Sequence, residues 1–246
     1  MEDNVNFYND LAGKSRWNLD NGRRLSLSLG IYRKTFNDIQ NKLNIQNNDV
    51  VLDLGGGTGR ITKYISEICK IVELSDAAAT ALDLAKDVLK GQNNIVYSIV
   101  DIGEKLPYGN EQFDKVLCYS TAHYLENYTK FENLIRELLR ITKKEGQILI
   151  GDIPLKDKYK NYLENRKKFP VKNFLMNLRY RLKKIITDFM YRINGISYSK
   201  VRGLSFIKKD IEKMLGSVKD INYFFLEQNY NLPYASSRED ILIKKL

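Results

Sequence analysis

The chain has 246 residues, of which 43% are hydrophobic and 11% aromatic, and it carries a formal net charge of +10. That length and composition suit one large α/β unit with a sizeable core and exclude a low-complexity or disordered chain. No apolar run approaches the roughly 20 residues that span a bilayer. The opening MEDNVNFYND lacks the basic-then-apolar pattern of a signal peptide, so a cytoplasmic protein is expected.

The first 48 residues read as a helical cap, with Leu25, Leu29, Tyr32 and Phe36 at spacings of three and four. Short runs rich in β-branched residues follow at Val50–Leu54, Ile71–Leu74, Ile95–Val100, Phe113–Cys118 and Gln147–Ile153. Helical patterns separate them, most clearly over Ala77–Leu89 and Phe131–Ile141, and this alternation predicts a parallel sheet with helices on both faces. After Pro154 the alternation stops. Apolar residues from Val171 to Ile193 then recur with the helical period, which predicts an amphipathic helix of about six turns with basic residues on its other face. A short helix over Phe206–Leu215 and two strands, Ile221–Glu227 and Asp240–Lys244, complete the chain. The expected organisation is a single domain: cap 1–48, ligand-binding core 49–154, basic helical insertion 155–205, and a helix with a strand pair over 206–246.

Charge is unevenly placed. Between Lys156 and Arg202 stand 14 Lys/Arg against 3 Asp/Glu, so the rest of the chain, with 26 against 27, is close to neutral. Cys69 and Cys118 lie inside apolar stretches without C-x-x-C spacing and are expected as buried, reduced thiols. With His123 the sole histidine, no zinc site of the usual Cys/His kind can be assembled, and no metal is expected.

The sharpest signal is V-L-D-L-G-G-G-T-G-R at residues 51–60, a buried strand running into a glycine-rich turn and a helix expected from near Thr58. Glycines admit a ligand close to the backbone, and a helix start offers free N–H groups. The dinucleotide fingerprint fails here, because Arg60 or Thr62 stands where its last glycine or alanine belongs. Asp53, Gly55, Gly57 and Gly59 instead give D-x-G-x-G-x-G. This resembles the cofactor loop of class I, Rossmann-like S-adenosyl-L-methionine-dependent methyltransferases of the small-molecule type. The likeness extends through F-D-K-V-L-C-Y-S-T-A-H-Y-L-E-N and I-L-I-G-D-I-P, over residues 50–154.

That resemblance implies a methyl-transferring enzyme whose cofactor is S-adenosyl-L-methionine. It also implies a seven-stranded, mostly parallel sheet whose antiparallel last strand inserts beside the fifth. The turn Gly55, Gly56, Gly57 and Gly59 would wrap the methionine part, with Asp53 holding its amino group. Glu73, 20 positions after Asp53 and followed by Leu74, is expected at the carboxyl end of the second strand, where an acid can accept from both ribose hydroxyls. Asp101 is placed near the adenine amino group, Ile102 beside the ring, and Tyr119 just past the fourth strand along the cavity.

A sulfonium methyl is already activated, so positioning the acceptor supplies much of the catalysis and a base is needed only where the acceptor must lose a proton. His123 is the candidate base, because its unperturbed pKa lies near 6.5 and A-H-Y-L resembles the L-H-H-L of relatives. A ring that caps the next helix or packs on Tyr124 is the alternative. Tyr8 and Trp17 are lining candidates, with ordinary packing as their alternative. The sequence C-Y-S-T-A-H is not the N/D-P-P-Y/F of adenine or glutamine amino-group enzymes, and neither cysteine stands in the Pro-Cys context of cytosine-C5 enzymes.

The acceptor expected is an O or N atom of a small molecule or sugar, such as a phosphate-bearing or lipid-linked glycan precursor that meets the basic segment 156–202. A basic amphipathic helix can also rest on anionic lipid. RNA methylation, with the basic residues following phosphates and Tyr159, Tyr162, Tyr180, Tyr191 and Tyr198 stacking on bases, is a second reading. A catalytically silent, cofactor-binding regulator is the third.

Overall fold

The computed structural model describes residues 2–14, 30–160, 203–229 and 235–246, with positions 185, 188, 189, 192, 193, 195 and 232. The strands are β1 (Val50–Leu54), β2 (Ile71–Asp76), β3 (Ile95–Ile99), β4 (Phe113–Tyr119), β5 (Thr142–Pro154), β6 (Ile221–Glu227) and β7 (Arg238–Lys245). Six helices accompany them among the labelled elements: α1 (Glu2–Lys14), α2 (Gly30–Leu43), α3 (Thr62–Ser66), α4 (Ala79–Val88), α5 (Tyr128–Ile141) and α6 (Lys208–Gly216). The strands form one sheet in the order β3-β2-β1-β4-β5-β7-β6, in which β7 runs antiparallel to both neighbours. This is the expected class I methyltransferase topology.

Alternation along the strands decides which side chains meet. Leu52 and Leu54 of β1, Val116 of β4 and Ile148 of β5 face α5, whose Phe131, Leu134, Ile135, Leu138 and Ile141 are all buried. Burial of each such side chain contributes about 1.5–3 kcal/mol. Asn127 caps the helix, accepting from Lys130 N through its side chain. The other parity, Val51, Val72, Leu117, Leu149 and Leu242, packs under α2 through Phe36, Ile39 and Leu43. Asp53, Asp76 and Tyr119 share that second parity. Glu73 does not.

One irregularity ties the far side of the sheet together. Two residues of β5, Gly151 and Asp152, stand opposite Asp240 alone, a bulge in which Asp152 takes a left-handed φ of 62°. The Asp240 carboxylate, fully buried, accepts from Asp152 N at 2.8 Å and from the Gln228 amide at 2.9 Å. Its other oxygen accepts from Lys42 Nζ of α2 at 2.7 Å, and Lys42 also reaches Asp38 at 2.6 Å.

Several boundaries differ from the sequence reading. The second strand runs two residues past Leu74, to Asp76, and the helix expected from near Thr58 begins at Thr62 because the turn continues through Ile61. The fifth strand starts five residues earlier than Gln147, with a register shift opposite Phe113–Lys115. Most of the expected helix over 171–193, together with Trp17, Leu25 and Leu29, lies outside the described residues. Of that helix, 185, 188, 189, 192 and 193 are described, and all are helical.

Lys42→Met should cost about 3–5 kcal/mol, because it strands a buried carboxylate without its cation. Burial pushes the Asp240 carboxyl up, Lys42 opposes that rise, and the folded chain therefore holds this proton to higher pH than the unfolded one. The deficit is expected to be largest near neutrality and to shrink as pH falls, measured by denaturant unfolding across pH.

Candidate functional site

Strand order reverses between β1 and β4, and in open α/β sheets a crevice forms beyond the carboxyl ends at such a point. A cavity lies there, lined by Asp53, Gly55, Gly56 and Gly57 from β1 and its turn, and by Asp76, Ala77 and Ala78 from the end of β2. Val100 and Ile102 flank it after β3, while Tyr119, Ser120, Thr121 and Tyr124 follow β4. Asn4, Val5 and Tyr8 of α1 and Tyr32 of α2 complete the wall with Arg60 and Ile61.

The turn after β1 is held by its neighbours. Gly55 N and Gly56 N both donate to Ser75 O, at 2.7 and 3.1 Å, and Thr121 Oγ1 donates to Gly55 O at 3.1 Å. Gly55 has a φ of 76°, and a β-carbon there would fall 2.3 Å from the Thr121 methyl. At Gly56 it would fall 2.4 Å from Leu74 and 2.7 Å from the Asp53 carboxylate. Leu74, fully buried, is thus the floor of the turn and not a wall of the cavity. Gly59 belongs to the same packing, since a β-carbon there would meet Leu89 at 2.7 Å.

Two carboxylates face this space. Asp53 is 2% exposed and accepts from Thr62 Oγ1 at 2.6 Å. Burial pushes its carboxyl up to about 6, with Thr62 opposing and the Asp76 charge adding to the rise. Asp76 accepts from Gly57 N and Ala78 N, each at 2.9 Å, and burial raises its carboxyl too. A cationic or hydroxyl-bearing ligand would relieve both.

Glu73 sits elsewhere. With β2 continuing to Asp76, Glu73 pairs with Leu52 in mid-sheet, and its parity turns it to the α5 face, where it accepts from the Ser98 hydroxyl. Asp76, with the parity of Val72 and Leu74, occupies the strand end that was expected of Glu73. The available signal was its place as the last residue before the helical spacing of Ala77–Leu89. Asp101 lies between the lining residues Val100 and Ile102 and accepts from Gly103 N at 2.7 Å.

Tyr119 lies where β4 ends, its ring against Gly151, where a β-carbon would come within 2.2 Å of the ring. Its hydroxyl accepts from the Gln228 amide at 3.1 Å, linking the cavity wall to the Asp240 bulge. Tyr8 donates its hydroxyl to that of Tyr124, and α1 is anchored at the start of α4 by Thr80, which donates to Asn9 Oδ1 from both N and Oγ1. His123 is 6% exposed and is not among the lining residues; its ring centre is 4.1 Å from that of Tyr124, and its carbonyl accepts from Leu204 N. Both cysteines are buried free thiols, and burial pushes Cys118 up to about 12. Arg60, Thr121 and Asn4 were not singled out in the sequence, because a residue on a turn or a distant helix carries no periodicity that points to a cavity.

Residues 52–150 match the family model described as a methyltransferase domain. Residues 52–150 thus carry a methyltransferase domain. A ubiquinone/menaquinone biosynthesis C-methyltransferase UbiE of Pseudomonas aeruginosa is 33% identical over 111 residues, 43% of this chain and 42% of that protein. The chain thus aligns with less than half the length of that curated relative. Among solved structures, phosphoethanolamine N-methyltransferase 1 of Haemonchus contortus, in complex with phosphoethanolamine and S-adenosylhomocysteine, superposes with a TM-score of 0.65 at 14% identity. The match covers 99% of this chain and 49% of that one. The N-methyltransferase NodS of Bradyrhizobium japonicum, in complex with S-adenosyl-L-homocysteine, gives 0.59 at 14% identity, covering 100% and 99%. At 14% identity these likenesses show the fold alone, and among the described residues that fold takes in the strands and helices on both sides of the stretch that the family model matches.

Proposed function

We propose that the protein transfers the methyl group of S-adenosyl-L-methionine to a small-molecule acceptor. The observation that carries this reading is the convergence of Asp53, the Gly55–Gly57 turn and Asp76 on one cavity at the switch point of a methyltransferase domain. When bound, the cofactor supplies an electrophilic methyl on a sulfonium. Asp53 is suited to the cofactor's ammonium, and Arg60 is the lining cation suited to its carboxylate. Asp76 takes the ribose role that the sequence assigned to Glu73. A carboxylate has about four lone-pair sites, and beyond the backbone donors Gly57, Ala78 and Ala77 the remaining acceptor capacity of Asp76 is open to the ribose. Val100 and Ile102 flank the adenine, with Asp101 beside its amino group.

Tyr8, Tyr119 and Tyr124 form the tyrosine-rich part of the wall and are proposed to hold the acceptor and exclude water from it. The acceptor atom is O or N of a small molecule or sugar precursor in the reading that the sequence supports. Transfer to carbon is the second reading, favoured by the 33% identity to a C-methyltransferase. Incubation with labelled cofactor and fractionated metabolites, followed by mass and NMR analysis of the product, separates the two. Absence of affinity for S-adenosyl-L-methionine and S-adenosylhomocysteine in calorimetry would overturn both.

Asp76→Ala should weaken cofactor binding by about 1–3 kcal/mol, since the ribose loses a charged acceptor. Glu73→Ala should leave binding unchanged, and calorimetric titration of the two variants assigns the ribose contact.

Cofactor affinity should also depend on pH through Asp53. Below about 6 its carboxyl is neutral in the empty protein and offers no countercharge to an ammonium. Affinity is expected to fall about tenfold per pH unit below that point and to level off above it. In Asp53→Asn the limb should vanish and affinity should be lower throughout.

His123→Asn should reduce turnover by less than about tenfold and leave cofactor affinity intact, because the ring packs behind Tyr124 outside the lining residues. Loss of 10²–10⁴ in steady-state rate, the usual weight of a general base, would instead put proton abstraction on this side chain.

A further inference from the structure

We propose that the segment carrying Ile185, Phe189 and Ile193 docks the protein on an anionic lipid surface. These three residues are helical, as are 188 and 192, and their spacing of four is the one that brings side chains onto one helix face, with successive offsets of about 40°. They are 64%, 61% and 60% exposed. Elsewhere among the described residues, large apolar side chains are mostly buried, and other well-exposed ones such as Ile99 and Phe224 stand on the two edge strands. A stripe of three large apolar groups open to water along one helix face marks an interaction surface.

Charge selects the occupant. The chain from Lys156 to Arg202 holds 14 Lys/Arg against 3 Asp/Glu, and Arg192 stands beside the stripe. Asp188, exposed on the same turn, is one of the three acids and is outweighed by that excess. An apolar stripe with a basic surround matches an anionic bilayer, where the apolar side chains enter the headgroup–acyl boundary and Lys/Arg meet lipid phosphates. RNA would use the charge but has no need of exposed Ile and Phe at helical spacing. No helix among the described residues is long and apolar enough to cross a membrane, so the contact is with the surface. Docking is independent of methyl transfer and is measured without cofactor.

The test is co-sedimentation of the whole protein with vesicles of phosphatidylglycerol and phosphatidylcholine, against pure phosphatidylcholine, at low and high salt. The expected result is binding to the anionic vesicles that falls with salt and is absent on the neutral ones. I185S/F189S/I193S should lower that partitioning at least tenfold with unchanged melting temperature and cofactor affinity, as befits exposed positions. No binding to anionic vesicles at low salt overturns the proposal. So does wild-type partitioning in the triple variant, which would leave charge alone at work. RNA binding without vesicle binding, or a dimer that the triple variant converts to monomer without vesicle binding, would assign the stripe to another partner and equally overturn it.

Discussion

The site depends on keeping two carboxylates ionisable inside a protein interior. Asp53 and Asp76 lie on the same face of adjacent strands, burial raises both, and the Asp76 charge adds to the rise at Asp53. The surrounding chain offsets part of that cost with donors: the Thr62 hydroxyl for Asp53, and the Gly57 and Ala78 amides for Asp76. The rest is left for a ligand. In the proposed reading, a ligand with an ammonium near one carboxylate and hydroxyls near the other would restore what burial removed.

Close backbone approach is the second condition. The turn can bring its amides to Ser75 O and Asp76 only because Gly55 and Gly56 present no β-carbon to Thr121, Leu74 and the Asp53 carboxylate. Gly151 does the same service on the other side of the cavity, where the Tyr119 ring lies flat on the backbone of β5. The Asp152 bulge beside it frees an N–H that the Asp240 carboxylate takes, and Lys42 neutralises that carboxylate from α2. Tyr119, through Gln228, hangs on the same assembly. The Tyr119 side of the cavity therefore rests on a charge cluster that spans β5, β7 and α2.

Much of this was legible in the residues alone. The strands and their mostly parallel arrangement followed from β-branched runs alternating with helical spacing, and the glycine turn after a buried strand pointed to a ligand. Asp53, Gly55, Gly57, Ile102 and Tyr119, singled out in the sequence, all border the cavity, because each is at or next to a strand end, and Tyr8 joins them from α1. The antiparallel seventh strand came from resemblance, since local pattern carries no information about which neighbour a strand will choose.

What the sequence determined by itself was periodicity: which runs are strands, which faces are apolar, where backbone freedom is needed, and where positive charge accumulates. What only the tertiary structure decided was register and reach. Glu73 and Asp76 are both acids near the end of one strand, and the sequence alone favoured the former. Two further residues of strand bring Asp76 and not Glu73 to the cavity, because side chains alternate faces and a strand's end is set by its pairing with β1 and β3. His123 likewise has the right chemistry, yet its ring lies behind Tyr124, since a 3₁₀ turn from Ala122 to Tyr124 turns one neighbour into the cavity and the other away. Which of two adjacent side chains faces the cavity depends on backbone direction, and backbone direction is a property of the packed whole.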